Sequence, residues 1–409
     1  MENKKSLGRF ITAVCGYSFF NKMTLLTPLY AIFMQSHGVS DIELSWLLML
    51  YPLAILATQM PITWLTSRIG RRRAIILGQT LKSIAFALWF IWPTYTGFAI
   101  GMCLWGMQYA FTEPAFDALM YDELAARHLR RAYTRVLGWR RAAQALGAAL
   151  SAFGSLMMFF GYGWVTAASV LALGISVLFI AGMHLVQPRF IKPPKTVGIR
   201  VLMRTGMRVW LMMPCVQMLM MLSLMVANFV YLDDYLSPIA LSIGLPVEYV
   251  GALPFILMGC SVLGQNIAYK FSSLKNRTIH AAICTVGLLF ALFSVFYSLW
   301  AAWMLALAYF IASIVNMLLY SRMQDAIPTR YRSLLLSLYN IGSNVAYVMV
   351  CLIIGLGGEL GSWRYGILMM GIILIWTGVW AALFQRNECY ATPAIHMTDI
   401  APQNGTNCI

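Results

Sequence analysis

The sequence predicts an all-α integral membrane protein: twelve transmembrane helices in two six-helix bundles related by pseudo-twofold symmetry. Three observations lead there. The chain is 60% hydrophobic and 11% charged, with a mean hydropathy of +0.73, whereas soluble domains average roughly 45–50% apolar and about 25% charged residues. Its apolar residues fall into runs of about 18 or more, the length that spans a bilayer as a helix. Its basic residues crowd into alternate gaps between those runs.

The runs follow one another in order. The first, 10–34, comes after a basic start (Lys4, Lys5, Arg9). It is too long for a signal-peptide core and lacks a small-residue cleavage pattern, so it reads as an uncleaved first span. Runs at 44–66, 74–92, 97–121, 136–160 and 163–186 complete a first half, 1–186. Segment 187–207 (QPRFIKPPKTVGIRVLMRTGM) combines Pro188, Pro193 and Pro194 with five cations and is the expected linker. A second half, 208–386, holds runs at 208–236, 246–270, 278–297, 299–323, 331–356 and 362–385. Only a short aromatic stretch, Tyr297 to Trp300, divides the ninth from the tenth. Residues 387–409 form a polar tail.

With residue 1 in the cytoplasm, 26 of the 29 Lys and Arg fall in inner segments. The turn "LTSRIGRRRAIIL" (65–77) alone holds Arg68, Arg71, Arg72 and Arg73. Arg364 is the one outer cation, and Lys22 and Lys82 lie within spans. This is the positive-inside pattern, and it places both termini in the cytoplasm. The net charge of +15 is spread over loops between spans, where anionic headgroups attract it; it forms no soluble basic domain, which excludes nucleic-acid binding. The eight cysteines show no metal-type spacing. Six lie in apolar runs as small core residues, and Cys389 and Cys408 in the tail are expected as free thiols, with no disulfide.

The halves echo one another. "LMYDELAARHLRRAYTRVLG" (119–138) and "LLYSRMQDAIPTRYRSLLLSLYNIG" (318–342) both run Tyr, Asp, Arg-rich turn, Gly-containing helix. "LTSRIGRRR" (65–73) has a weaker counterpart in "LGQNIAYKFSSLKNR" (263–277). Repeated bundles of this kind mark secondary transporters, whose site lies between the repeats near mid-membrane.

On these residues the chain resembles the major facilitator superfamily over essentially its whole length. The family signature between spans 2 and 3 is G-x-L-x-D-R-x-G-R-[KR]. Aligned on Gly70, this sequence gives Thr63, Leu65, Ser67, Arg68, Gly70, Arg71 and Arg72, lacking the first glycine and the aspartate. The resemblance implies that this loop packs against the start of span 11 and locks a cytoplasmic gate, with Arg68 or Arg72 pairing with Asp122. Ser67 in place of the acid should interact less with a positive helix end, which implies a looser latch. Span 4 has no arginine and span 5 no Gly-Pro pair, unlike the best-known drug–proton antiporters. "AFDALMYDELAARHLRRAYTRVLG" (115–138) is similar instead to a bacterial group of facilitators described as exporters.

Ionisable residues at bilayer depth cost roughly 2.5–3.5 kcal/mol, so they mark function or a paired partner. At 1.5 Å per residue Lys22 lies roughly 18 Å from the inner edge, with Glu113 about 12 Å and Asp117 about 6 Å from it on span 4. Glu113 and Asp117 share one helix face, with Pro114 expected to kink the helix between them. A Lys22–Glu113 pair, with Asp117 one turn inward, is the leading candidate for proton coupling; a static pair that specifies packing is the alternative. Lys82 is expected to snorkel or to pair with Glu113. Asn21, Gln108, Asn228, Asn316 and Asn340 supply uncharged cavity groups, and Asp233 and Asp234 a candidate outer gate.

No phosphate-cradling loop, nucleophile–base pair or metal-ligand spacing is present, so no cofactor and no enzymatic role are expected. The expected function is export of a small organic compound (drug, antibiotic or secreted metabolite) by proton antiport, from a monomer in the bacterial inner membrane surrounded by lipid. Proton-coupled nutrient uptake is the alternative.

Overall fold

The computed structural model describes residues 2–129, 132–183, 207–230, 232–328 and 331–384. The expected tail, with Cys389 and Cys408, lies outside them, as does the expected linker except for Met207. Helices α1 (Glu2–Lys22), α2 (Tyr30–Ser36), α3 (Asp41–Ile69), α4 (Arg71–Ile91), α5 (Tyr95–Ala126), α6 (Tyr133–Ser151) and α7 (Tyr162–Ala181) build the first half. Helices α8 (Pro214–Phe229), α9 (Leu236–Ser242), α10 (Ala252–Ile267), α11 (Asn276–Phe296), α12 (Ala302–Ala326), α13 (Arg332–Glu359) and α14 (Trp363–Leu383) build the second. With α1–α2 and α8–α9 each forming one broken span, they make twelve crossings.

Eight of the segments are long and apolar enough to cross a membrane on length and composition. The four that fall short, α1, α5, α6 and α8, carry or adjoin the charged side chains described below. Local signals set the helix ends. Ser40 and Glu43 cap α3 reciprocally: Glu43 Oε2 accepts from the Ser40 amide at 2.9 Å while Ser40 Oγ accepts from the Glu43 amide, the arrangement of a capping box. Gly70 separates α3 from α4 at φ 87°, a left-handed conformation open to glycine at little cost.

The repeat is visible in the packing. In the first half α4 packs on α5, α3 on α5, α1 on α6, α4 on α7 and α1 on α7; in the second, α11 packs on α12, α10 on α12, α8 on α13, α11 on α14 and α8 on α14. Each pairing recurs six spans later, as pseudo-twofold symmetry requires.

One end of the molecule carries the arginine-rich turns and is called the basic end; the other is the far end. The halves meet at the far end. There α13 packs on α3 so closely that a Cβ on Gly355 would lie 2.6 Å from Ser45 Cβ, and one on Gly358 would lie 2.7 Å from Asp41 Cβ. Two described hydrogen bonds join the halves, Tyr235 Oη to Ser45 Oγ at 2.9 Å and Ser237 Oγ to the Pro28 carbonyl, and both lie at this end.

The expected unbroken first span is corrected. Helix α1 stops at Lys22, residues 23–29 form turns, and α2 resumes at Tyr30; the seventh span likewise stops at Phe229 and resumes at Leu236. Backbone groups released inside a bilayer need partners from neighbouring helices, and they have them. Ser169 Oγ on α7 accepts from the Leu26 amide at 2.9 Å, and Tyr309 Oη on α12 accepts from the Leu232 amide at 2.8 Å. Hydropathy cannot see such a break, because its residues remain apolar.

Cys15, Cys103, Cys260, Cys284 and Cys351 are free thiols. Cys215, expected as a small core residue, is disulfide-bonded.

Candidate functional site

Two broken spans in corresponding positions of the halves mark the candidate site. Lys22 ends α1 at one break, and Asp233 and Asp234 occupy the other. Lys22 is exposed and near enough to Asp233 to interact with it electrostatically across the interface between the halves.

The expected Lys22–Glu113 ion pair does not form. Glu113 is taken by Arg140 on α6, whose Nη2 donates to Glu113 Oε2 at 3.1 Å while its Nη1 is ion-paired with Asp117. The Arg140 side chain is 5% exposed and lies 4.7 Å over the Phe116 ring; those of Glu113 and Asp117 are 32% and 51% exposed. One guanidinium thus spans two carboxylates set one turn apart on α5, a fork-shaped donor matched to two acceptors. In sequence Arg140 counts among the 26 inner-segment cations. The available signal was its position five residues inside the run 136–160, the same depth cue that picked out Lys22.

Lys82 neither snorkels nor pairs with Glu113. It is 5% exposed, and its Nζ donates to both the carbonyl and the side-chain oxygen of Asn21, each at 2.9 Å. It therefore caps the C-terminus of α1 at the break, where the helix dipole favours a cation. Gln79 Nε2 also donates to Asn21 Oδ1 at 3.3 Å, so Asn21 is a bracket for the break and faces the packing, not the cavity.

A chamber of about 320 Å³ lies against the far-end closure, lined by Tyr30, Tyr51, Trp105, Asn228, Asp233, Asp234 and Tyr347 with Leu48, Met102 and Ala227. The Tyr347 hydroxyl donates to Asp234 Oδ2. Asn228 lines the wall with its amide already used, Nδ2 donating to the Leu224 carbonyl at 2.8 Å and Oδ1 accepting from Ser343 at 3.1 Å.

The remaining candidates separate. Gln108 is buried and donates to Thr112 Oγ1 at 2.6 Å within α5. Asn316 Oδ1 accepts from Ser223 Oγ at 3.2 Å, and Ser223 also meets Tyr339 at 3.0 Å, which ties α8, α12 and α13 together. Asn340 is exposed, and its carbonyl accepts from Asn344 at 2.9 Å.

At the basic end, Asp122 pairs with Arg71 and not with Arg68 or Arg72; Arg71 also donates to the Ala118 carbonyl at 3.1 Å. Arg72 donates to the carbonyls of Ile180 and Ala181, closing the C-terminus of α7. Arg68 stacks 4.0 Å over Trp64, and Ser67 Oγ donates to the Trp64 carbonyl at 2.6 Å. Which arginine reaches Asp122 depends on the turn made by Gly70, which starts α4 at Arg71 and points that residue at α5.

Residues 10–350 match the family pattern described as the Major Facilitator Superfamily. No curated protein matches the chain. Among solved structures it is similar to the nucleoside transporter NupG (TM-score 0.72, 11% identity, 94% of this chain and 100% of that chain covered). It is similar also to a bacterial homolog of the human lysosomal transporter Spinster, in an inward-facing and occupied conformation (0.69, 13%, 95% and 99%). A third is a D-xylose–proton symporter (0.67, 13%, 93% and 96%). At these identities the likeness establishes the fold. The twelve crossings, the repeated packing and the paired helix breaks thus agree with the sequence pattern, and the chain belongs to the major facilitator superfamily of membrane transporters.

Proposed function

We propose that this protein exports a small organic compound across the bacterial inner membrane by alternating access, driven by proton antiport. The observation that carries the coupling is Arg140 held between Glu113 and Asp117. An ion pair with one partner buried and the others reachable from water is a natural charge switch. Protonating the carboxylates removes the attraction that fixes α6 to α5, and deprotonating them restores it.

In this reading the basic end is cytoplasmic, with both termini there. The far-end contacts between the halves then close the outer side, and the chamber loads from the cytoplasm. The organisation is 1–186 and 208–386 rocking about the site, with 187–207 as linker and 387–409 as tail; the protein acts as a monomer. Lys22 and Asp233, at the two breaks, sense each other's charge across the interface and report the relative position of the halves. The coupled ion is the proton, taken up by side chains; the scheme uses no cofactor.

The test is reconstitution in proteoliposomes with a trapped pH-sensitive dye, an imposed pH gradient and a panel of toxic organic compounds. Antiport predicts that a transported compound moves protons the opposite way, and that Glu113→Gln abolishes the proton movement while compound exchange at equal concentrations persists. Proton movement in the same direction as the compound establishes uptake symport in place of export. Full proton-coupled transport by Glu113→Gln removes the Arg140 cluster from the mechanism.

A further inference from the structure

We infer that the far-end chamber is a binding site for an organic cation, a protonated or quaternary amine carrying an apolar or aromatic body. The inference rests on the reading of this cavity as the transport site and names the class of substrate it takes.

The charged side chains lining the chamber are two carboxylates, Asp233 and Asp234. They are adjacent in sequence but not equivalent. Asp234 accepts a hydrogen bond from the Tyr347 hydroxyl, which ties it to the wall. Asp233 is exposed, and among the described residues it makes no hydrogen bond or ion pair. It sits in the non-helical break of the seventh span, away from a helix-internal position that would bury it in packing. An accessible carboxylate beside a second, held carboxylate favours a positive partner.

The rest of the wall suits the body of such a ligand. Trp105 contacts Tyr51 edge-on at 5.4 Å and Tyr30 edge-on at 5.7 Å between ring centroids, forming one continuous aromatic surface beside the acids. Aromatic rings attract cations through their quadrupole and shed water from an amine's hydrocarbon part. The chamber volume, about 320 Å³, is at the small end of ligand pockets, which run roughly 300–1,000 Å³. That size admits a single-ring amine.

The Lys82 ammonium lies 5.7 Å over the Trp105 ring but is held by Asn21, and the other competing cation is Lys22, which interacts electrostatically with Asp233. It is not among the residues lining the chamber, so an anion bound there would meet Asp233 and Asp234 first. An arriving cation shares Asp233 with Lys22, which links occupancy of the chamber to the break of the first span.

The experiment uses the full-length protein in nanodiscs and isothermal titration with four single-ring probes: benzyltrimethylammonium, 2-phenylethylammonium, benzyl alcohol and phenylacetate. The two cations are expected to bind and the alcohol and the anion not to. Asp233→Asn should weaken the cations by roughly tenfold, as loss of one partner of a charge contact does, and Trp105→Leu by about threefold. Asp233 has no described structural partner, so its variant should keep the wild-type thermal midpoint. Failure of both cations to bind, equal binding of phenylacetate, or unchanged cation binding in Asp233→Asn overturns the inference. Glu113→Gln separates it from the proton-coupling proposal: cation binding should survive there. A protein that moves protons with anionic compounds alone sinks the cation site and leaves the coupling scheme standing.

Discussion

Alternating access requires the far-end contact between the halves to open in every cycle, and Gly355 offers a measurable handle on it. Its missing side chain lets α13 approach α3 until a Cβ would stand 2.6 Å from Ser45 Cβ, 2.8 Å from Ser45 Oγ and 3.3 Å from Ile42 Cδ1. Carbon atoms in contact rest about 3.5–4.0 Å apart, so Gly355→Ala overlaps Ser45 by about 1 Å. Ser45 Cβ is fixed to the backbone and cannot rotate away, so the helices must separate. Overpacking of this kind costs about 1–3 kcal/mol. The cost applies only while the far ends touch, which shifts the balance toward the conformation open at that end by roughly 5- to 150-fold. The assay is distance measurement between spin labels at exposed far-end positions, Ser36→Cys and Leu299→Cys, in a variant cleared of other reactive cysteines. A longer distance population should grow in Gly355→Ala, with turnover reduced. An unchanged distance distribution in a folded Gly355→Ala protein would refute the argument that this contact is the closed gate.

Lys82→Met removes the ammonium that caps α1 and leaves the Asn21 carbonyl buried without it, which should cost about 1–3 kcal/mol in thermal unfolding; Lys82→Arg, longer and forked, should not restore it fully. At the basic end the Arg71 and Asp122 side chains are 37% and 36% exposed, so Asp122→Asn should change stability by about 1 kcal/mol or less. Arg72→Ala should cost more than Asp122→Asn in a melting comparison, because it frees two carbonyls at the end of α7.

What the sequence determined by itself is the chain's relation to the membrane. Apolar length and cation placement are one-dimensional properties, and the bilayer reads them in one dimension: a run either fills the hydrocarbon layer or does not. They gave twelve spans, the repeat and the family. Helices α1, α5, α6 and α8, which fall short of a full apolar span in the structure, are those that carry or adjoin Lys22, Glu113, Asp117, Arg140, Asp233 and Asp234, and α8 falls short because the break ends it after 16 residues. Depth along a span was legible too, and it singled out Glu113, Asp117, Lys22 and Lys82 as residues needing partners.

The choice of partner was not legible. In sequence Lys22 and Lys82 were the cations offered to Glu113, whereas Arg140 takes it, and which one reaches it depends on how α6 is rotated against α5 and on the break that ends α1. Both are products of packing between helices distant in sequence. The same holds at the basic end, where Gly70 sets the start of α4 and so gives Asp122 to Arg71, and at the far end, where glycines decide how closely α13 meets α3. Charge and hydropathy are carried by each residue alone, whereas pairing is a property of surfaces, and only the assembled bundle brings those surfaces together.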